Sequence, residues 1–251
     1  MANELKKAEP QFSVVLMDKL ESVEEALPVN FNKAKFVQNA LALINDNSST
    51  FQKFSKTQIM AGLLKGAYLG LDFFSREAYL IPYKDQLQFQ IDYRGAMKLA
   101  KKYSIRPIEE IDAKIVREGD RFEEIIEGGH QSFVFRPRPF SNAPIVGAFA
   151  YVRYKDGGMI VDSMSLEELE NTRKHSRAKD SMAWQDFTAE MFRKTVIRRV
   201  CKRVEIQFET PEQRKLYDDD LAIATSPKEQ AEAEIAAGEN AEEIIIEDVP
   251  Q

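Results

Sequence analysis

The chain has 251 residues, 43% hydrophobic and 30% charged, with a formal net charge of −6. That supplies apolar material for one full core and excludes collagenous or wholly disordered chains. No apolar run of about 18 residues occurs and the start MANELKKAEP lacks an apolar block, so neither membrane insertion nor export is expected, and a cytoplasmic site is.

Residues 1–32 are mixed in character and end near Pro28, which reads as a short helix or loosely held arm. A core is expected over 33–217. KAKFVQNALALIN carries Phe36, Val37, Ala40, Leu41 and Ile44 at helical spacing, and KTQIMAGLLKGAYLG repeats the pattern up to Gly70, a C-terminal stop. The period then changes to two. EAYLIPY and QLQFQID flank Lys84-Asp85, and Leu87, Phe89 and Ile91 alternate with glutamines, which predicts a hairpin with one dry face. Further strands are expected over 111–117, over 132–137, and in VGAFAYVRY and MIVDSM around the turn Asp156-Gly157-Gly158. Ser165 followed by Glu168 marks a capping-box helix start. A charged loop, a long basic helix and an acidic flexible tail over 218–251 complete the chain. The expected fold class is α+β: a small antiparallel sheet with hairpins packed against amphipathic helices.

The net charge conceals an asymmetry. Residues 205–251 hold fourteen acids and three bases, net −11, which leaves residues 1–204 at +5. Within YRGAMKLAKKY (93–103), Arg94, Lys98, Lys101 and Lys102 fall within about 100° of one another on a helical wheel, opposite Met97, Leu99, Ala100 and Tyr103. Arg106 extends this row, and no acid lies between Tyr93 and Ile108. In FRKTVIRRVCKRV (192–204), Lys194, Arg198 and Lys202 are spaced i, i+4, i+8, with Arg199 and Arg203 on an adjacent row. The loop before it adds Arg173, Lys174, Arg177 and Lys179. Clustered bases without interleaved acids repel one another, and phosphate neutralisation is the usual reason for the arrangement, so nucleic-acid binding is expected. Tyr79, Tyr83, Tyr93 and Trp184 sit beside the basic segments as candidate stacking surfaces.

Other chemistries have less support. There is no GxxxxGK[ST] loop for nucleotide phosphates, and GLLKGAYLG lies within a helix. Cys201 is the lone cysteine and His130 and His175 are the two histidines, too few ligands for a structural zinc. Cys201 reads as a core residue. No cofactor is expected. Asp112-Ala113-Lys114 has the D-x-K form of many metal-dependent nucleases, with Asp92 as an upstream acid, so a nuclease stands as an alternative. A sequence-reading regulator and a module that binds acidic proteins are the others.

Several separated blocks, LGLDFFSREAYLIPY (69–83), DYRGAMKLAKKYS (92–104), EGDRF (118–122) and WQDFTAEMFRKTVIRRVCK (184–202), resemble the RecT family of phage and prophage single-strand annealing proteins, allied to lambda Red beta. The likeness spans roughly 35–210. It implies an ATP-independent recombinase without bond chemistry that coats single-stranded DNA and pairs it into nascent duplex. It also implies assembly into a homo-oligomeric ring or helical filament, and action beside a phage exonuclease. By this resemblance the DNA-facing set is Arg94, Lys98, Lys101, Lys102, Lys194, Arg198, Arg199 and Lys202. The charge pattern adds Tyr93, Arg106, Arg177, Lys179 and Trp184. Phe73 stands where the family often has proline after the aspartate. The acidic tail reads as a solubilising end, a lid competing with DNA, or a docking peptide for the exonuclease or the host single-strand binding protein.

Overall fold

The computed structural model describes residues 2–176, 179–180 and 182–225, and the chain divides into two compact units. The first takes residues up to Gly95 together with Phe208–Ile223; the second takes Ala96–Gln207.

In the first unit, α1 spans Ala2–Ser22, and its Leu16 and Leu20 are fully buried. A single 3-10 turn over Glu24–Ala26 leads to α2 (Lys33–Asp46), whose N-cap Asn32 accepts from the Lys35 N–H at 2.9 Å. α2 buries Phe36, Val37 and Ala40, and the short α3 (Ser48–Phe51) buries Phe51. α4 (Lys56–Leu69) opens with a complete Ser55/Gln58 capping box and ends at Gly70, whose φ of 65° lies in the left-handed region that glycine adopts without penalty. Strands β1 (Ala78–Tyr83) and β2 (Gln86–Ile91) pair antiparallel around Lys84-Asp85. The pairs Ala78–Ile91 and Leu80–Phe89 supply the dry face, and α4 packs on this hairpin.

Between α4 and β1, Asp72 Oδ1 accepts from Phe74 N–H at 2.9 Å and Asp72 Oδ2 from Asn39 Nδ2 at 2.8 Å. Phe73 is buried and packs 6.2 Å from both Phe36 and Phe89. It fills the core at the position where the family often has proline. A Cβ on Gly66 would lie 2.6 Å from the Phe73 ring, so the helix needs glycine there. α5 (Tyr93–Tyr103) begins in this unit.

The second unit is built on a three-stranded antiparallel sheet of β3 (Ile108–Arg117), β6 (Ile145–Tyr154) and β7 (Met159–Ser165), in the order β3-β6-β7. Before β6 comes a hairpin of β4 (Arg121–Glu127) and β5 (His130–Arg136). β4 was not expected from the sequence, because its acids obscure the alternation. The hairpin lays Phe122, Phe133 and Phe135 over Val116, Phe149, Tyr151 and Val161, with Phe122 stacked 4.4 Å from Phe149. The other face of the sheet carries Ala113, Ala148, Ala150 and Val152, whose small side chains admit a helix. After α6 (Leu166–His175), with its Ser165/Glu168 capping box, and the short α7 (Met182–Asp186), α8 (Thr188–Lys202) packs on all three strands, burying Phe192, Val196, Ile197, Val200 and Cys201.

The chain then returns to the first unit as α9 (Pro211–Thr225). Within α9, Asp220 is buried, and its carboxylate accepts from the Ile91 N–H at 2.9 Å. The remainder of the expected tail, 226–251, lies outside the described residues. Small antiparallel sheets with amphipathic helices make the fold α+β, as expected. Among the described residues no helix is long and apolar enough to cross a membrane.

Candidate nucleic-acid interface

Two cationic helices meet at one end. Beyond α5, Ser104 bridges Ile206 just beyond α8, Ile105 N–H donates to the Glu205 carbonyl at 3.2 Å, and Gln207 N–H donates to the Tyr103 carbonyl at 2.8 Å. The C-terminal ends of α5 and α8 are therefore tied by backbone. Bases in a last helical turn also compensate the negative end of the helix dipole, and Lys101, Lys102, Arg199 and Lys202 all occupy last turns. On α8 the buried Cys201 thiol is pushed up to about 12 by burial and drawn back only partly by the charges of Arg198 and Lys101. It is the core cysteine expected from the sequence.

On α5, Lys101 and Lys102 are exposed and Lys98 is half-buried. Lys102 Nζ donates to the Tyr103 hydroxyl at 2.8 Å and sits 4.5 Å from that ring's centre. On α8, Lys194, Arg198 and Lys202 are half-exposed along one row. Their aliphatic stems can lie on the helix while their heads reach water.

The adjacent row does something else. Arg199 Nε lies 3.2 Å from Asp162 Oδ2, and its Nη1 lies 3.6 Å from Glu168. Arg203 Nη1 donates to the Val161 carbonyl and lies 3.9 Å from Asp162 Oδ1. Asp162 is 8% exposed, on the helix-facing side of β7, and burial raises its carboxyl above the usual range despite both guanidiniums. Arg199 thus ties α8 to β7 through Asp162, with its side chain still 45% exposed at the surface.

Arg106 is ion-paired at the surface, its side chain 48% exposed. Its guanidinium forks onto Asp156, with Nη2 to Oδ1 at 2.8 Å and Nε to Oδ2 at 3.1 Å, and lies 4.1 Å from the Tyr154 ring centre. The Gly158 N–H and then Arg106 hold the Asp156 carboxyl below the usual range. Trp184 is fully buried, edge-on to Phe192 at 5.9 Å, so its ring has no open face for a base. Lys179 is exposed in the preceding loop, and its carbonyl accepts from Arg173 Nε at 3.2 Å. Arg177 lies outside the described residues.

Within the first unit, Arg94 is exposed, its Nε donating to the Tyr93 hydroxyl at 3.1 Å. Beside them the Tyr79 hydroxyl is pushed up to about 12, first by burial and then by Asp92, while Arg76 and Arg94 act to lower it. Arg76 is exposed with φ of 55° and belongs to this cluster. Sequence reasoning passed over it because it stands in a loop beside Glu77 rather than on a cationic helix face.

The D-x-K pair answers to itself. Lys114 Nζ lies 2.7 Å from Asp112 Oδ2, two residues apart on one face of β3, and no group of three His, Cys, Asp or Glu side chains suited to a metal gathers among the described residues.

Comparison with known proteins agrees with this geometry. The chain is 29% identical over 204 residues to Protein RecT of Escherichia coli (strain K12), covering 75% of this chain and 72% of that protein. The model of the RecT family matches residues 34–235. Two tied cationic helices on an α+β body, and a family match over most of the length, support a role in DNA recombination and single-strand annealing: the chain belongs to the RecT family.

Proposed function

We propose that this chain binds single-stranded DNA regardless of sequence and anneals complementary strands without ATP and without bond chemistry, as a cytoplasmic protein. The observation that supports the reading is the backbone tie just beyond the C-terminal ends of α5 and α8, which brings their last, basic turns to one end of the second unit. Lys98, Lys101, Lys102, Lys194, Arg198 and Lys202 are the proposed phosphate contacts, and Arg94 with Tyr93 and Arg76 forms a further cationic-aromatic cluster. Phosphate contacts give affinity without reading sequence and leave Watson–Crick edges free to pair.

One protomer offers only a few such contacts, so side-by-side assembly into a ring or filament belongs to the proposal. Val14 and Val15, 57% and 48% exposed on α1, are apolar surface suited to it. Residues 226–251 carry eight acids and one base, a composition suited to competing with DNA for the cationic rows or docking the exonuclease or the host single-strand binding protein. The test is to mix the protein with complementary oligonucleotides without nucleotide triphosphate and to follow duplex formation alongside particle size. Acceleration with growth of large particles is expected; duplex formation at the protein-free rate would refute the reading.

A further inference from the structure

We infer that the loop between β5 and β6 is a second single-strand contact, in which Phe140 stacks on a base while Arg136 and Arg138 of the same loop supply charge for its phosphates. The inference rests on the DNA-binding reading above but concerns different residues.

Phe140 is 102% exposed, the most exposed large apolar side chain among the described residues, and its φ of 58° is a conformation that bulky residues avoid. The structure holds it there. Asp120 of the EGDRF block accepts from Arg117 N–H at 2.8 Å and from Arg138 N–H at 2.7 Å. Arg117 Nη1 donates to the Ala143 carbonyl at 2.7 Å, and Glu118 N–H to the Pro144 carbonyl at 2.9 Å. Pro137 and Pro139 further restrict the loop, so little freedom remains to be lost on binding.

The charge around it selects the ligand. RPRPFSNAP (136–144) contains two bases and no acid, and Arg136 and Arg138 are exposed without an ion-pair partner among the described residues. The Asp120 carboxylate beneath the loop accepts from the backbone N–H groups of Arg117 and Arg138. A bare ring in a loop that also carries two exposed arginines suits a strand that presents base faces and phosphates together. A contact between copies would instead call for apolar neighbours, and Ser141 and Asn142 follow. The loop lies at the Ile145 end of β6, opposite Tyr154 and about 30 Å along a strand of this length.

The test titrates oligo-dT into the full chain and its variants. Phe140→Trp should be quenched by oligo-dT and bind like wild type, while Phe140→Ala should bind roughly 5- to 100-fold more weakly at an unchanged salt slope. Arg138→Ala should lower that slope by roughly 0.7. If wild type binds and Lys202→Ala weakens binding, but Phe140→Ala matches wild type and Phe140→Trp is not quenched, the loop contact is refuted and the helix-pair reading stands. If Phe140→Ala shrinks the particles while binding to short oligo-dT is unchanged, the ring is a contact between copies and the inference is overturned. A wild-type chain that binds no oligo-dT would end both readings.

Discussion

Arg199 Nε stands 3.2 Å from the Oδ2 of Asp162, a carboxylate only 8% exposed on β7. One step away on the same helix, Arg198 is half-exposed in the row of Lys194 and Lys202. Adjacent arginines in one basic stretch thereby divide their work between holding the fold and presenting charge.

Arg199→Ala should therefore act on stability. It should cost about 1 kcal/mol, well below the ~3–5 of a wholly buried pair, because the Arg199 side chain is 45% exposed and Arg203 remains beside Asp162. Asp162 has a raised folded pKa, so the folded state retains its proton more tightly than the unfolded chain, and stability falls as pH rises from the ordinary carboxylate range through that folded value. Loss of Arg199 raises it further, so thermal melts should show the variant recovering part of its deficit on acidification, and Asp162→Asn should flatten that dependence. Equal deficits across the range would contradict the tie.

Arg198→Ala, Lys202→Ala and Lys102→Ala should weaken binding to every single-stranded sequence alike, each reducing the salt slope by roughly 0.7. Arg199→Ala should leave the slope untouched. Binding isotherms at several salt concentrations separate the two rows, and a loss confined to one sequence would point to a sequence-reading regulator.

Trp184 is the single tryptophan, and its Nε1 has no hydrogen-bond partner among the described residues. Trp184→Ala should lose about 3–5 kcal/mol by leaving a cavity, whereas Trp184→Phe should melt much closer to wild type and bind DNA equally well. In the unmodified chain its emission should be blue-shifted and insensitive to oligo-dT. A binding defect in stably folded Trp184→Phe would restore the stacking role.

The Cys201 thiol, pushed up to about 12, should resist alkylation in the native protein at pH 8 and react once the chain unfolds. Because the unfolded thiol ionises near 8.5 while the folded one does not, stability should decline as pH rises above about 9. Rapid native labelling would contradict the buried position on α8.

Truncation after Thr225 should preserve the melting temperature and, for a competing acidic segment, tighten DNA binding at low salt. Truncation before Asp218 removes the carboxylate that accepts from Ile91 N–H and should destabilise by about 1–3 kcal/mol. Unchanged affinity after the shorter cut would dismiss the competing role.

Local rules were enough to read α4 with its stop at Gly70, the β1–β2 hairpin around Lys84-Asp85, the Ser165/Glu168 cap and the two basic helices, because periodicity and capping depend on residues a few positions apart. The blocks of family likeness were legible for the same reason: they are contiguous. Tertiary structure decided which bases are spoken for. A helical wheel sorts Arg198 and Arg199 into rows, but Asp162, the partner of Arg199, arrives from a remote strand through pairing that the wheel cannot contain. Trp184 in the core, Asp220 against β2 and Phe140 raised on a braced loop follow likewise from contacts between distant segments. Composition sets how much charge and apolar surface a chain has, and long-range packing settles which of it is left to meet a ligand.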